Sequence, residues 1–165
     1  METERDLSSG KYIPSTFIPK TGHKPPRLDP KTVKVGDEIP KLNRYGDYQL
    51  WNRYAAVNYE FAGHHMDDSV GHHEGFEAAI GMGPFIHALL HVLLREWVGE
   101  ERGRVVKVGM QSRRPWIRGR TLSEGGKVTA LREENGELIV SLEVWGDNDK
   151  GERLVIGEAE VALPA

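Results

Sequence analysis

The sequence predicts an α+β domain in which one antiparallel sheet curls round a single long apolar helix. Three observations predict it. Residues 85–97 are almost wholly apolar, with Phe85, Ile86, Ala88, Leu89, Leu90, Val92, Leu93 and Leu94, and a helix apolar on most sides belongs at the centre of a protein. The chain that follows reads as strands, in which valine, isoleucine and leucine recur between polar residues. Asn135-Gly136, between two of those strands, is a tight-hairpin signature. A buried helix needs a sheet to cover it, and hairpin-linked strands supply an antiparallel one.

Taken in order, residues 1–31 read as an extended arm. Pro14, Pro19, Pro25, Pro26 and Pro30 interrupt any helix, and the apolar residues are isolated. Tyr12, Ile13, Phe17 and Ile18 are the ones able to drape over a neighbouring subunit. The domain itself is expected over 32–165. It starts with a short strand within 32–42, punctuated by Gly36-Asp37 and Pro40. Asp47 caps a helix over 48–59 whose Leu50, Trp51, Tyr54, Ala55 and Asn58 share one face, and Gly63 limits its continuation. Gly71, Gly75, Gly81 and Gly83 make 63–83 mainly irregular, with short turns. Pro84 suits the first turn of the central helix, and Gly99 stops it. Strands follow over 104–112, 127–133, 138–145 and 153–163, the last two joined by a looser hairpin at 147–151.

A chain of 165 residues suits one domain with one core. A formal charge of −3 gives no basic face for nucleic acid, although Arg113, Arg114, Arg118 and Arg120 form a local basic run. No stretch approaches the roughly 18 apolar residues of a membrane span. The first ten residues are polar and lack the apolar core of a secretory signal. The absence of cysteine removes disulfide and thiolate chemistry. The expectation is a cytoplasmic protein with neither nucleic acid nor membrane as partner.

Chemistry concentrates in residues 58–68, Asn-Tyr-Glu-Phe-Ala-Gly-His-His-Met-Asp-Asp. Glu60 precedes His65, and Gly81-Met82-Gly83 leads into the apolar helix. A carboxylate, an imidazole and the amide-rich start of a helix are the parts that activate water beside a polarised carbonyl. The histidines also raise a metal reading. His64, His65, His72 and His73 lie near Asp67, Asp68 and Glu74, and His87 and His91 are one helical turn apart. Against it, Ala88 follows His87, so the His-Glu-x-x-His form is absent, and no cysteine is present. No metal is therefore expected, and His87 and His91 are read as lining a tunnel beside the central helix or as hydrogen-bonded core residues.

These motifs resemble those of the MaoC-like hot-dog hydratases and dehydratases, of the (R)-specific enoyl-CoA hydratase type, over about residues 33–163. Such proteins carry a helix ending in Arg-Tyr-Ala-Ala, here Arg53 to Ala56, then a loop of the form Asp-Phe-Asn-Pro-x-His-x-Asp. This chain has Glu60-Phe-Ala-Gly-His-His65-Met-Asp67 in the same register. Gly75-Phe76, the run Ile80 to Gly83, and Pro115-Trp-Ile-Arg-Gly119 match later family motifs. Three positions depart from the pattern: Glu60 replaces aspartate, Ala62 and Gly63 replace asparagine and proline, and Met82 replaces histidine. Glutamate keeps the charge but is one methylene longer. Misplacing a reacting group by about 1 Å costs on the order of a hundredfold in rate, so the backbone must adjust, and Gly63 is expected to supply the freedom.

The resemblance implies a hot-dog fold and addition or removal of water at the α,β double bond of an acyl thioester, with coenzyme A preferred over a carrier protein. Glu60 and His65 would hold the water, and the Gly83 amide would bind the thioester oxygen. Arg114 and Arg118 would receive the phosphates of coenzyme A, or alternatively form surface ion pairs. Met82 and Trp116 would border the acyl chain, Trp116 alternatively serving only as packing. No cofactor is implied beyond coenzyme A as part of the substrate. The expected assembly is a homodimer or higher oligomer. Two alternatives stay open, a non-catalytic acyl-binding subunit of a hetero-oligomer and a hot-dog thioesterase.

Overall fold

The computed structural model describes residues 27–99 and 102–164. Five antiparallel strands form one sheet in the order β1-β3-β4-β5-β2. They are β1 (Leu42–Tyr45), β2 (Arg104–Ser112), β3 (Thr121–Glu134), β4 (Glu137–Asn148) and β5 (Arg153–Pro164). Four helices, α1 (Tyr48–Asn58), α2 (Gly63–Met66), α3 (Asp68–His73) and α4 (Gly83–Val98), all lie between β1 and β2 in sequence. The sheet curls round α4, which packs against β2, β3 and β5. The α+β hot-dog arrangement expected from the sequence is the one observed.

The central helix forms as its composition requires. Pro84 occupies its first turn, and Phe85, Ile86, Leu89, Leu90, Leu93, Leu94, Trp97 and Val98 are buried along it. Each such side chain contributes about 1.5–3 kcal/mol of transfer free energy. They meet Leu122, Val128, Val140, Leu142, Val144, Leu154, Val155, Ala159 and Val161 from the inner face of the sheet. The β3–β4 hairpin turns at Asn135 (φ 53°) and Gly136 (φ 79°), the left-handed pair that the Asn-Gly signature calls for. No helix among the described residues is long and apolar enough to cross a membrane.

Four expectations change. The strand expected within 32–42 begins only at Leu42, leaving one isolated bridge, Glu38 to Lys127, before it. Its place is taken by turns, because the Asp29 carboxylate accepts the Lys31 N–H (3.0 Å) and that of Asp37 accepts the Lys34 N–H (2.9 Å), an alternative to ladder pairing. Strand β3 starts at Thr121 rather than 127, running straight through Gly125-Gly126. Those glycines are places of close approach: a Cβ on Gly125 would meet the Trp145 indole at 3.2 Å. Residues 63–83 contain two short helices, the second capped by Asp67, whose carboxylate accepts the Ser69 N–H at 2.7 Å. Finally, the fold begins before residue 32. Leu28 is buried in the core and its N–H donates to Trp97 O at 2.8 Å. The remainder of the expected arm, residues 1–26 with Tyr12, Ile13, Phe17 and Ile18, lies outside the described residues.

Candidate active site

Glu60 is placed by the way α1 ends. Asp47 starts that helix, its carboxylate accepting the Leu50 N–H at 2.7 Å, and Leu50, Trp51 and Ala55 bury one face. Helix α1 stops at Tyr59, which adopts φ 57°, ψ 35°. The N–H groups of Tyr59 and Glu60 both turn back to Ala55 O, the latter at 3.2 Å. A non-glycine residue in this left-handed conformation costs about 1–2 kcal/mol. Tyr59 is 88% exposed, so its own packing does not repay that cost. The consequence is a reversal of the chain that carries Glu60 back toward α2. The freedom assigned to Gly63 is therefore exercised at Tyr59, and Gly63 is simply the first residue of α2.

His65 sits on α2 and is 7% exposed. Its Nδ1 lies 2.7 Å from Ile80 O. A carbonyl can only accept, so Nδ1 carries the proton and Nε2 is left with a lone pair. Burial holds the imidazole below the ordinary histidine range, against the opposing effect of the Ile80 bond; His64 lowers it further and Glu60 raises it. Nε2 stands 3.9 Å from Glu60 Oε1. Both atoms are acceptors. A water about 2.8 Å from each would span that gap with its two donor directions about 90° apart, close to the angle between its own hydrogens.

The start of α4 lies close to this pair. Gly81 N donates to Trp116 O at 2.7 Å, and the N–H groups of Phe85 and Ile86 reach Met82 O at 3.1 and 3.2 Å. No side chain caps this helix. The Gly83 N–H is one of the first-turn donors that the helix itself leaves unused, at the positive end of sixteen aligned peptides. A Cβ on Gly83 would meet nothing within 4 Å, so a ligand atom has room there. The Tyr54 ring packs on Phe85 with centroids 4.6 Å apart. Burial, and then the nearby Glu60 carboxylate, push the Tyr54 phenol up. Glu60, His65 and the first turn of α4 thus share one neighbourhood.

The other expected site residues are placed differently. Met82 and Trp116 are both 0% exposed. Trp116 packs edge-on to Trp51 at 5.5 Å and donates from Nε1 to Arg120 O at 2.8 Å, which makes it a wall behind α4 rather than a surface for substrate. Arg118 is committed to Asp68 through Nε at 2.7 Å and through Nη2, and lies over the Tyr48 ring, so it holds the fold together instead of offering a free landing point for phosphate. Arg114 is exposed at the rim of a depression of about 230 Å³ that also includes Phe76, Arg120 and Lys150. His64 pairs with Glu74 at 3.0 Å, and His72 bonds Glu77 O at 2.7 Å. The His87 and His91 rings meet edge-on at 5.1 Å, with His87 3.3 Å from Val108 O. Among the described residues no three histidine or carboxylate groups converge as metal ligands.

The roles of two carboxylates were missed from sequence. Asp68 entered only as part of the histidine-rich window, and no motif announces its contacts with Tyr48, Ala79 and Arg118. Glu124 lies before the strand expected over 127–133, yet it is 1% exposed on the inner face of β3, and neither of its carboxyl oxygens has a hydrogen-bond partner among the described residues. Burial pushes its carboxyl well above the usual carboxylate range, with Arg44 opposing. Its place between Leu122 and Gly126 on the core-facing side of β3 was the available signal.

Comparison with solved structures places the fold. An (R)-hydratase from A. caviae involved in PHA biosynthesis aligns with a TM-score of 0.73 and 25% identity over 81% of this chain and 99% of that one. A MaoC-like dehydratase from Rhodospirillum rubrum gives 0.71 and 18% over 83% and 97%. The chain has the hot-dog fold of these MaoC-like hydratases and dehydratases. The ChsH1-ChsH2 complex from Mycobacterium tuberculosis contains a further similar chain, with a TM-score of 0.69 and 23% identity over 79% and 98%. No protein-family model and no curated protein matches the sequence. Within the motif that it resembles, the chain carries Glu60 where aspartate is expected, and that carboxylate comes to 3.9 Å from His65 Nε2.

Proposed function

We propose that this protein is a hydratase or dehydratase acting at the α,β double bond of an acyl thioester, with coenzyme A as the preferred carrier. The observation that carries the proposal is the 3.9 Å separation of Glu60 Oε1 and His65 Nε2, two acceptors facing one gap beside the start of α4. The similarity to an (R)-hydratase and to a MaoC-like dehydratase supports hydration chemistry in general. In the hydration direction, a water held by both acceptors attacks the β-carbon and gives its proton to the Glu60–His65 pair. The electron pair of the double bond moves toward the thioester oxygen, where the Gly83 N–H stabilises the developing enolate. The pair then returns one proton to the α-carbon, so that one water has been added. Dehydration is the reverse. Arg114 is the residue offered for a coenzyme A phosphate.

Loss of enoyl-thioester absorbance tests the proposal. Wild type should hydrate the substrate, and Glu60→Gln and His65→Ala should each abolish it. Release of free thiol without hydration would mark a thioesterase instead. A second reading, a non-catalytic acyl-binding subunit, draws support from the similar chain in the ChsH1-ChsH2 complex; it predicts no turnover at any chain length and a second hot-dog chain on purification. A homodimer or higher oligomer accompanies the main proposal, because β1 and β2 stand at the two edges of the sheet. A monomer at micromolar concentration in light scattering would contradict that.

A further inference from the structure

We propose that Asp68 is a positioning residue for this reaction, setting the orientation of the His65 imidazole and the approach of the Gly83 amide through the segment between them. The proposal rests on the hydration reading of Glu60, His65 and Gly83 given above. Asp68 is the point where four parts of the chain are tied. It accepts Tyr48 O–H at 2.8 Å from the start of α1, the Ala79 N–H at 2.9 Å, and both Nε (2.7 Å) and Nη2 of Arg118 from the loop before β3. Arg118 in turn places its guanidinium 5.0 Å from the Tyr48 ring centre and donates its backbone N–H to Ala79 O at 2.8 Å. The residue after Ala79 is Ile80, whose carbonyl accepts from His65 Nδ1 and whose N–H donates to His64 O at 2.9 Å.

Ala79 is thus gripped on its N–H by the Asp68 side chain and on its carbonyl by the Arg118 backbone, and the bridge between Ile80 and Ile117 extends the grip by one residue. What this fixes is the direction of the Ile80 carbonyl, which dictates the His65 tautomer and points Nε2 at Glu60. Gly83 follows three residues later, so the same anchor sets where α4 begins. The Arg118 fork, then the Ala79 and Tyr48 bonds, hold the Asp68 carboxyl far below the usual carboxylate range, so the knot stays ionised at any working pH. A bidentate guanidinium–carboxylate pair also fixes geometry as a single contact does not. A purely structural ion pair would need only the two Arg118 bonds, whereas Asp68 accepts four, from the backbone segment, its clamp and the helix that leads to Glu60.

The experiment combines kinetics with the imidazole itself. Asp68→Asn keeps the side-chain shape but removes the charge that Arg118 grips, and Arg118→Gln breaks the same pair from the other side. Both are read beside Tyr48→Phe, which removes one bond only. Folding is checked by circular dichroism and melting temperature. Enoyl-thioester hydration gives kcat and KM, and nitrogen-15 spectra, assigned with His65→Ala, give the His65 tautomer. We expect Asp68→Asn and Arg118→Gln to lower kcat by about 10- to 100-fold, with KM within about twofold, and to mix the His65 tautomers in folded protein. Tyr48→Phe should fall between them and wild type. Unchanged kcat with a pure Nδ1–H tautomer in folded Asp68→Asn overturns the proposal, as does a loss of kcat that merely follows the fraction unfolded. If Asp68→Asn does not fold, Arg118→Gln decides by the same two readouts. Should wild type itself prove inactive, the hydration reading fails, and the tautomer measurement still decides whether Asp68 orients His65.

Discussion

Replacing Glu60 by aspartate would bring the loop closer to the motif it resembles, and we expect it to impair the hydration proposed above. In the structure the Glu60 carboxylate comes to 3.9 Å from His65 Nε2 because the chain has already been turned by Tyr59. Removing one methylene withdraws the carboxylate by about 1.5 Å, which widens the gap to about 5.4 Å. A water about 2.8 Å from both groups would then need its two donor directions about 150° apart, far from what its hydrogens offer. One of the two contacts is lost. Misplacement on this scale costs on the order of a hundredfold, or about 2.7 kcal/mol of transition-state stabilisation. Initial rates of enoyl-thioester hydration over a range of substrate concentrations separate the expected loss in kcat from any change in KM. A Glu60→Asp enzyme as fast as wild type would refute the reasoning, since it would show that the glutamate's extra reach is not what brings water and histidine together.

Other outcomes follow from the same geometry. Tyr59→Gly should keep turnover and leave the denaturant midpoint unchanged or raised, while Tyr59→Val, β-branched and ill-suited to a left-handed φ, should lower turnover and cost about 1–2 kcal/mol. Because burial lowers the His65 pKa from the usual 6.5, the neutral Nε2 acceptor persists into mildly acidic solution; the acid limb of kcat/KM against pH should lie below 6.5, and a midpoint above it would contradict the assignment. Burial raises the Glu124 carboxyl well above its ordinary 4.5 in the folded state, so stability is lost as pH rises from about that value toward the folded-state value. Glu124→Gln should therefore raise the melting temperature at pH 8 more than at pH 4, and an equal effect at both would rule that cost out.

Much of this was legible in the residues. The run of leucines in α4, the Asn135-Gly136 turn and the Asp47 cap each state a local preference that the tertiary fold also satisfies, and agreement across levels makes a sequence readable. The spacing of Glu60 and His65 likewise survived, since both lie in one short segment whose register is fixed by α1 and α2. What could not be read depends on partners distant in sequence. Arg118 looked like a surface cation because Asp68, fifty residues earlier, is invisible to local pattern. The expected strand began only after Gly125 and Gly126, because Trp145 and the Glu143 carbonyl, which occupy the space a Cβ would need there, belong to another strand. Tyr59 gave no signal at all, as glycine or asparagine is the residue expected at such a helix end.

The most direct measurement is a high-resolution crystal structure of inactive Glu60→Gln with an enoyl thioester bound, beside ligand-free wild type. The proposed chemistry requires the thioester oxygen on the Gly83 N–H. In wild type it requires one ordered water within about 2.6–3.2 Å of both the Glu60 carboxylate and His65 Nε2, on the side facing the β-carbon. A thioester seated away from Gly83, or a Glu60 and His65 that bind no common water, would contradict it.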